Sequence, residues 1–294
     1  MKLSRRSVFK SVATALPLAA MGGLPRAAQA EEIALYRARK GRIKQSIVPW
    51  CYKPLTVEEL AALAVKLGMH SIELCDPKFW PKLKELGLTC AIAGSHGFGK
   101  GFAHLEEHEL CLKSLTERIG QCVTAGVPSI ITFSGFRRGL ATEVGVKNMV
   151  DGLKKIAPIA EKAKVTVCLE MLNSRVNVEM KGHPDYFCDS MDLSVDILKQ
   201  VSSEYVKVLF DIYHVQIMHG DVITRLKQYA PWIGHYHTAG VPGRNEIDDT
   251  QELCYAPIMR AIVATGYRGY VGQEFIPVGD KVKSLSDATR ICDV

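Results

Sequence analysis

The stretch IGHYHTAGVPGRNEID, Ile233 to Asp248, begins as an apolar strand, delivers two histidines, and opens into a turn that carries an arginine and acids. Residues two apart on a strand face the same side with Cβ atoms ~7 Å apart, so His235 and His237 share a face and one sits deeper than the other. A single metal ion would use only one of them. The Val241-Pro242-Gly243 run cannot continue a ladder, and it sends Arg244 and Glu246 over whatever His237 faces. A lone strand histidine is usually a satisfied core or surface group, so the reading turns on whether other strands end in matching side chains.

From Gly41 onward, short apolar runs alternate with longer amphipathic ones. The runs are Ile43–Trp50, Ser71–Cys75, Leu88–Gly94, Ser129–Gly135, Thr166–Leu172, Val206–Tyr213, Ile233–Ala239 and Tyr270–Ile276. Between them lie helical patterns such as Thr56–Leu67, opened by a Thr56/Glu59 capping box, and His104–Ala125, stopped by Gly126. Strand followed by helix, repeated eight times over about 250 residues, predicts a (β/α)8 TIM barrel. A doubly wound open sheet fits less well, because no GxGxxG turn follows the first strand.

In such a barrel the C-terminal ends of the strands face one bowl, so groups far apart in sequence meet there. TVCLEML carries Glu170, VKVLFDIYH carries Asp211, the next strand offers His237, and YVGQEF carries Glu274. An ionised carboxylate in an apolar strand is costly to bury alone, and three beside a histidine repel one another unless a cation holds them. One divalent metal ion is the economical explanation. Three carboxylates and an imidazole form a hard donor set that favours Mn²⁺ or Mg²⁺, with Co²⁺ or Zn²⁺ as alternatives. Around this set, Trp50 ends the first strand as a candidate apolar wall and Glu73 ends the second as a candidate substrate contact. His96 lies in the GSHGFG turn, and His183 lies in a long loop that is a candidate lid.

The amino-terminal segment stands apart. Ser4-Arg5-Arg6-Ser7-Val8-Phe9-Lys10, the mild apolar run Val12 to Leu24 and the small-residue site Ala28-Gln29-Ala30 resemble a twin-arginine export signal. Cleavage after residue 30 leaves residues 31–294 as one barrel domain in a periplasmic or otherwise exported protein. The run is too short for a stable membrane span, which needs about 20 strongly apolar residues. The formal charge of +6 also changes, since five cations and no acid lie in this segment; 32 basic residues against 31 acids leave +1. That is no electrostatic footprint for nucleic acid. The nine cysteines form no CxxC pair; Cys75, Cys90 and Cys168 lie in apolar strands and read as small buried hydrophobes, with no bridge assigned.

Taken together, LEMLN (Leu169 to Asn173), FDIYHVQ (Phe210 to Gln216), HTAGVPGRNEID (His237 to Asp248) and GQEF (Gly272 to Phe275) resemble the hydroxypyruvate isomerase branch of the xylose isomerase-like sugar isomerase and epimerase superfamily. By that resemblance Glu170, Asp211, His237 and Glu274 ligate the metal, while His214 and Arg244 bind substrate oxygens. Where hydroxypyruvate isomerases resembling this chain tend to have a glutamine, this sequence has His237, as the ketose 3-epimerases do. The resemblance therefore leaves the substrate open among small hydroxy-carbonyl compounds and keto sugars.

Moving a carbonyl to the next carbon, or inverting a carbon beside it, requires removal of a weakly acidic C–H proton and its return elsewhere. A metal offsets the charge of the enediolate, and Glu170 and Glu274 stand as the two proton carriers. The expected protein is thus a metal-dependent isomerase or epimerase with a small carbohydrate substrate and no nucleic-acid partner, its assembly into a homo-oligomer left open. The same metal and bases would also serve a lyase that opens 3-keto glycosides. A DNA-repair endonuclease of the superfamily needs a three-metal cluster with further histidines, whereas the fourth strand ends in Phe133-Ser134-Gly135 with no ligand.

Overall fold

The computed structural model describes residues 34–294, and Leu35–Val294 form one compact unit. The expected export signal lies outside the described residues. Seven parallel strands, β1 (Lys44–Ile47), β2 (Ser71–Ile72), β3 (Ser129–Thr132), β4 (Thr166–Glu170), β5 (Val206–Asp211), β6 (Ile233–Thr238) and β7 (Tyr270–Gln273), lie in the order β2-β1-β7-β6-β5-β4-β3. Helices cover their outer faces, so runs such as SIIT and VKVLFD are buried on both sides and read as near-continuous apolar sequence.

The third of the eight expected strands, Leu88–Gly94, closes the ring without becoming a regular strand. On one side Thr89 N donates to His70 O (3.1 Å) and Leu74 N to Ile92 O (2.9 Å); on the other Ala93 N donates to Ser129 O (2.8 Å). At Ala91 between them, side chains replace the ladder: Ala91 N donates to Ser71 Oγ and Ser129 Oγ donates to Ala91 O, each at 2.8 Å. Every backbone group at this residue is satisfied, but by hydroxyls that hold the neighbouring strands apart. The architecture is a TIM barrel with one irregular seam.

Among the described residues the helices are α1 (Val57–Leu67), α2 (Trp80–Glu85), α3 (His108–Ala125), α4 (Thr142–Ala163), α5 (Met191–Val201), α6 (Ile212–Met218), α7 (Val222–Gln228), α8 (Tyr255–Ala264) and α9 (Lys281–Cys292). The capping box on α1 is formed, with Glu59 N donating to Thr56 Oγ1 (3.2 Å) and Thr56 N to Glu59 Oε2 (2.8 Å). The third helix begins at His108 and not at His104, because the His104 ring bonds Phe136 O (2.9 Å) and Leu105–Glu107 make a tighter turn. Gly126 ends it at φ +75°.

The ring joins the two ends of the described chain. Lys44 pairs with Tyr270, while Tyr36 Oη and Arg39 N both donate to Asp293 Oδ2 (2.8 Å each) and Arg42 Nε donates to Val294 O (2.6 Å). These contacts lie at the N-terminal ends of the strands, opposite the bowl. All nine cysteines are free, and only Cys254 among them is exposed. No described helix is long and apolar enough to cross a membrane.

Candidate active site

Strand register assembles the site. Asp211 pairs with His237 and His237 with Gly272, Glu170 ends β4 beside Leu209, and Glu274 follows β7 with its N–H on Thr238 O (3.0 Å). Glu170, Asp211, His237 and Glu274 are buried, and one donor atom from each lies within 4.8 Å of the others. Asp211 also caps α6: Oδ1 accepts from Tyr213 N (2.8 Å), which leaves Oδ2 for the site.

Contacts fix the orientation of each group. His237 Nε2 and His235 Nε2 both reach Glu73 Oε1, at 2.8 and 3.1 Å. His237 Nδ1 therefore faces the bowl, 2.8 Å from Glu274 Oε2 and 3.7 Å from Glu170 Oε1. Neither approach is aligned as a hydrogen bond, and His237 Nδ1 and Glu170 Oε1 are both buried without a partner. Arg244 Nη2 donates to Glu274 Oε2 (2.5 Å) and Asp211 Oδ2 (3.2 Å), and Nη1 donates to Met180 O (2.7 Å). Its guanidinium lies 5.3 Å from the Trp50 ring centroid and 5.6 Å from that of Tyr213. The turn after Pro242 holds Arg244 at φ +58°, a conformation uncommon outside glycine, and the side chain lies over the carboxylates.

In the metal-free protein these neighbours push like groups apart. Burial raises Glu170 to about 7, with Glu274 and Asp211 adding to the rise against the opposing pull of His237. Burial likewise raises Asp211 to about 6 although Arg244 opposes it. Burial acts the same way on Glu274, but Arg244 and His237 outweigh it and hold that carboxyl well below the usual range. Burial alone would lower His237, yet the surrounding carboxylates raise it well above an ordinary imidazole, so an incoming cation must displace its Nδ1 proton. His183 is lowered to about 4, mainly by burial.

A cavity of about 230 Å³ opens above this set. Glu170, Glu274, Arg244, Trp50, His96 and His183 line it. Trp50 Nε1 donates to Glu274 Oε1 (3.2 Å), and the His96 ring bonds Thr132 Oγ1 (3.0 Å). His183 packs against Phe98 with ring centroids 4.4 Å apart, and its loop is pinned across the bowl through Met180 O. Asp211, His237, His214 and Glu73 are fully buried behind the wall. Glu73, expected as a substrate contact, does not line the cavity: it is fully buried beneath His237, with Oε1 2.8 Å from His237 Nε2. Glu246 turns away from the bowl and accepts from Val278 N and Gly279 N (2.9 Å each).

Sequence reasoning missed Asn173, although a polar residue closing the LEMLN strand was a signal. Its N–H donates to His214 Nδ1 (3.1 Å), and its side-chain nitrogen lies 2.7 Å from the same atom. This fixes the His214 tautomer with Nε2 protonated and unpartnered, 3.6 Å from Asp211 Oδ2. Phe98, Met180 and Leu172 were also missed as cavity walls. Apolar loop residues carry no mark of which way they face.

The donor set fits a cation. Three carboxylates and an imidazole nitrogen converge, and the two orphaned atoms, His237 Nδ1 and Glu170 Oε1, face each other across the space they share. Such buried groups are ordinarily satisfied, and a hard divalent ion would satisfy both while relieving the repulsion among the acids.

Residues 61–291 match a family model described as the xylose isomerase-like TIM barrel. A Mus musculus protein provisionally named hydroxypyruvate isomerase is 28% identical over 257 residues, 86% of this chain and 86% of that protein. A 2-oxo-tetronate isomerase from Cupriavidus necator is 38% identical over 128 residues, 44% of this chain and 46% of that enzyme. The structure of a 3-keto-D-glucoside 4-epimerase from E. coli superposes with a TM-score of 0.71 at 19% identity, over 85% of this chain and all of that one, a likeness of fold alone.

Proposed function

The chain belongs to the xylose isomerase-like TIM barrel family, and we propose that it is a metal-dependent isomerase or epimerase of a small hydroxy-carbonyl compound or keto sugar, working by proton transfer through an enediolate. Isomerase activity agrees with the names of its relatives. The observation that carries the reading is the meeting of Glu170, Asp211, His237 and Glu274 from four consecutive strands beneath one cavity.

Glu170, Asp211, His237 and Glu274 would hold a divalent cation, Mn²⁺ or Mg²⁺ by the donor set, which would supply positive charge to polarise a carbonyl and offset charge on the substrate oxygens. Glu170 and Glu274 both line the cavity, so one removes the proton beside the carbonyl and the other returns a proton on the far side. Arg244 is the cationic contact for a substrate oxygen, and the unpartnered Nε2–H of His214 is a second donor on that side. Trp50, Phe98 and His183 form the aromatic wall of the cavity.

A keto acid or keto sugar fits the cavity of about 230 Å³. Turnover of hydroxypyruvate, 2-keto tetronates and ketoses in D₂O tests the reading. Carbon-bound deuterium is expected in the product when both glutamates are present. Cleavage of 3-keto glycosides with no solvent exchange in those substrates would replace the isomerase by a lyase.

Export belongs to the same reading and is supported by the Arg5-Arg6 pair and the Ala28-Gln29-Ala30 site. The processed chain is expected to begin at Glu31. Unimpaired export after both arginines are replaced by lysine would remove that part of the reading.

A further inference from the structure

Glu73 has no place in the proton-transfer chemistry, yet it is fully buried and makes two hydrogen bonds to histidines of one strand. One carboxylate oxygen, Oε1, accepts from His235 Nε2 at 3.1 Å and from His237 Nε2 at 2.8 Å. The two rings stand perpendicular with centroids 5.1 Å apart, so the oxygen sits where their N–H vectors cross. Room for it comes from β7. A Cβ on Gly272 would lie 2.1 Å from Glu73 Oε1 and 2.8 Å from His237 Cδ2. Gly272 is the register partner of His237, so the missing side chain is the seat of the carboxylate.

We propose that Glu73, seated against Gly272 and steadied by His235, is the positioning residue that keeps the proton on His237 Nε2 and aims Nδ1 at the cation site. An imidazole has two nitrogens, and the partner of one decides which role the other plays. A carboxylate can only accept from Nε2, and Nδ1 is left with its lone pair for a cation once it has lost its proton. His235 occupies a second lone pair of the same oxygen and holds the carboxylate under His237. The site thereby needs the GQEF glycine for a reason separate from the glutamate two residues on.

The inference rests on the reading of Glu170, Asp211, His237 and Glu274 as the cation site, and the experiment separates the two. Mn²⁺ affinity of the purified full-length protein is measured by calorimetry for the wild type, Glu73→Gln, Gly272→Ala and His237→Ala. Histidine ¹⁵N spectra are recorded with diamagnetic Zn²⁺ bound. Losing such an outer partner typically costs roughly 10- to 100-fold in metal affinity, and that loss is expected for Glu73→Gln and Gly272→Ala. Gly272→Ala alters no charged group but crowds the His237 ring as well as the carboxylate, so it reads their shared seat, while Glu73→Gln reads the carboxylate itself. In the wild type the His237 Nε2–H signal should be slow to exchange and Nδ1 should be metal-shifted; in both variants the Nε2–H protection should be lost. Wild-type Mn²⁺ affinity with an unchanged His237 spectrum in Glu73→Gln overturns the proposal, and that variant decides alone if Gly272→Ala does not fold. If His237→Ala binds Mn²⁺ as the wild type does, the cation-site reading fails first and the positioning role falls with it.

Discussion

Arg244 Nη2 lies 2.5 Å from Glu274 Oε2 and 3.2 Å from Asp211 Oδ2, so one guanidinium bridges two buried carboxylates. Removing one partner of a buried pair costs about 3–5 kcal/mol, because the other is left charged and dry. Arg244→Met should therefore destabilise the metal-free protein strongly. A divalent cation can replace the lost charge, so the rise in melting temperature on adding Mn²⁺ should be larger in the variant than in the wild type. Equal rises would mean that the arginine and the cation do not serve the same carboxylates.

Each donor residue should be needed for the ion. Glu170→Gln, Asp211→Asn, His237→Ala and Glu274→Gln are expected to lower bound metal below one per chain by elemental analysis. Where saturating Mn²⁺ restores occupancy in Glu170→Gln or Glu274→Gln, kcat should still be down by roughly 10²–10⁴, the usual contribution of positioned proton transfer. Near-full turnover in both would exclude this pair as the proton carriers.

If His214 meets substrate, Asn173 acts through it. Its side chain is one of two donors on His214 Nδ1, the other being its own backbone N–H, and together they hold the ring with Nε2–H turned toward Asp211. Asn173→Ala keeps the backbone donor and loses the side-chain one, so it should leave metal content unchanged and lower kcat/KM a few-fold, as expected for loss of one neutral hydrogen bond of about 1 kcal/mol. Unaltered steady-state kinetics would show that His214 makes no substrate contact.

Glu107 ties two loops at the mouth of the bowl: its carboxylate accepts from Gly101 N (2.8 Å) and Arg138 (2.6 Å) and lies 3.2 Å from Lys100. Burial works to raise its pKa, but these donors outweigh it and the value is lowered. A carboxyl depressed in the folded state contributes stability that is fully present above its unfolded pKa, near 4.3, and is lost as pH falls through the lower folded value. Glu107→Gln should thus melt below the wild type at pH 7. The gap in denaturation midpoint should close as pH is taken below about 4. A gap independent of pH would place the loss in packing and not in charge.

The barrel and its four-residue cluster were legible because an acid or histidine at the end of an apolar strand is anomalous in one dimension. Glu170, Asp211, His237 and Glu274 each carry that mark, and parallel register brings them to one level. Glu73 carries the same mark with a different outcome. Its depth is set by the close approach of β6 and of Gly272, which no local pattern encodes. The seam at Leu88–Gly94 was hidden for a related reason: two serines on neighbouring strands, Ser71 and Ser129, take the backbone bonds that a ladder would have made. Glu246 was misread because the turn geometry after Pro242, with Gly243 and Arg244 both at positive φ, rotates the next side chains outward.

The clasp between Tyr36, Arg39, Arg42 and the last two residues has a topological consequence. Because Leu35 and Val294 belong to neighbouring ends of a closed ring, a short linker can join them and the chain can be opened elsewhere, as at the exposed Asp249–Thr250 turn. In such a circular permutant Glu274 would be translated before Glu170 and not after it, while its place beside His237 is held by ladder bonds that the cut does not touch. The barrel has a beginning only on the ribosome.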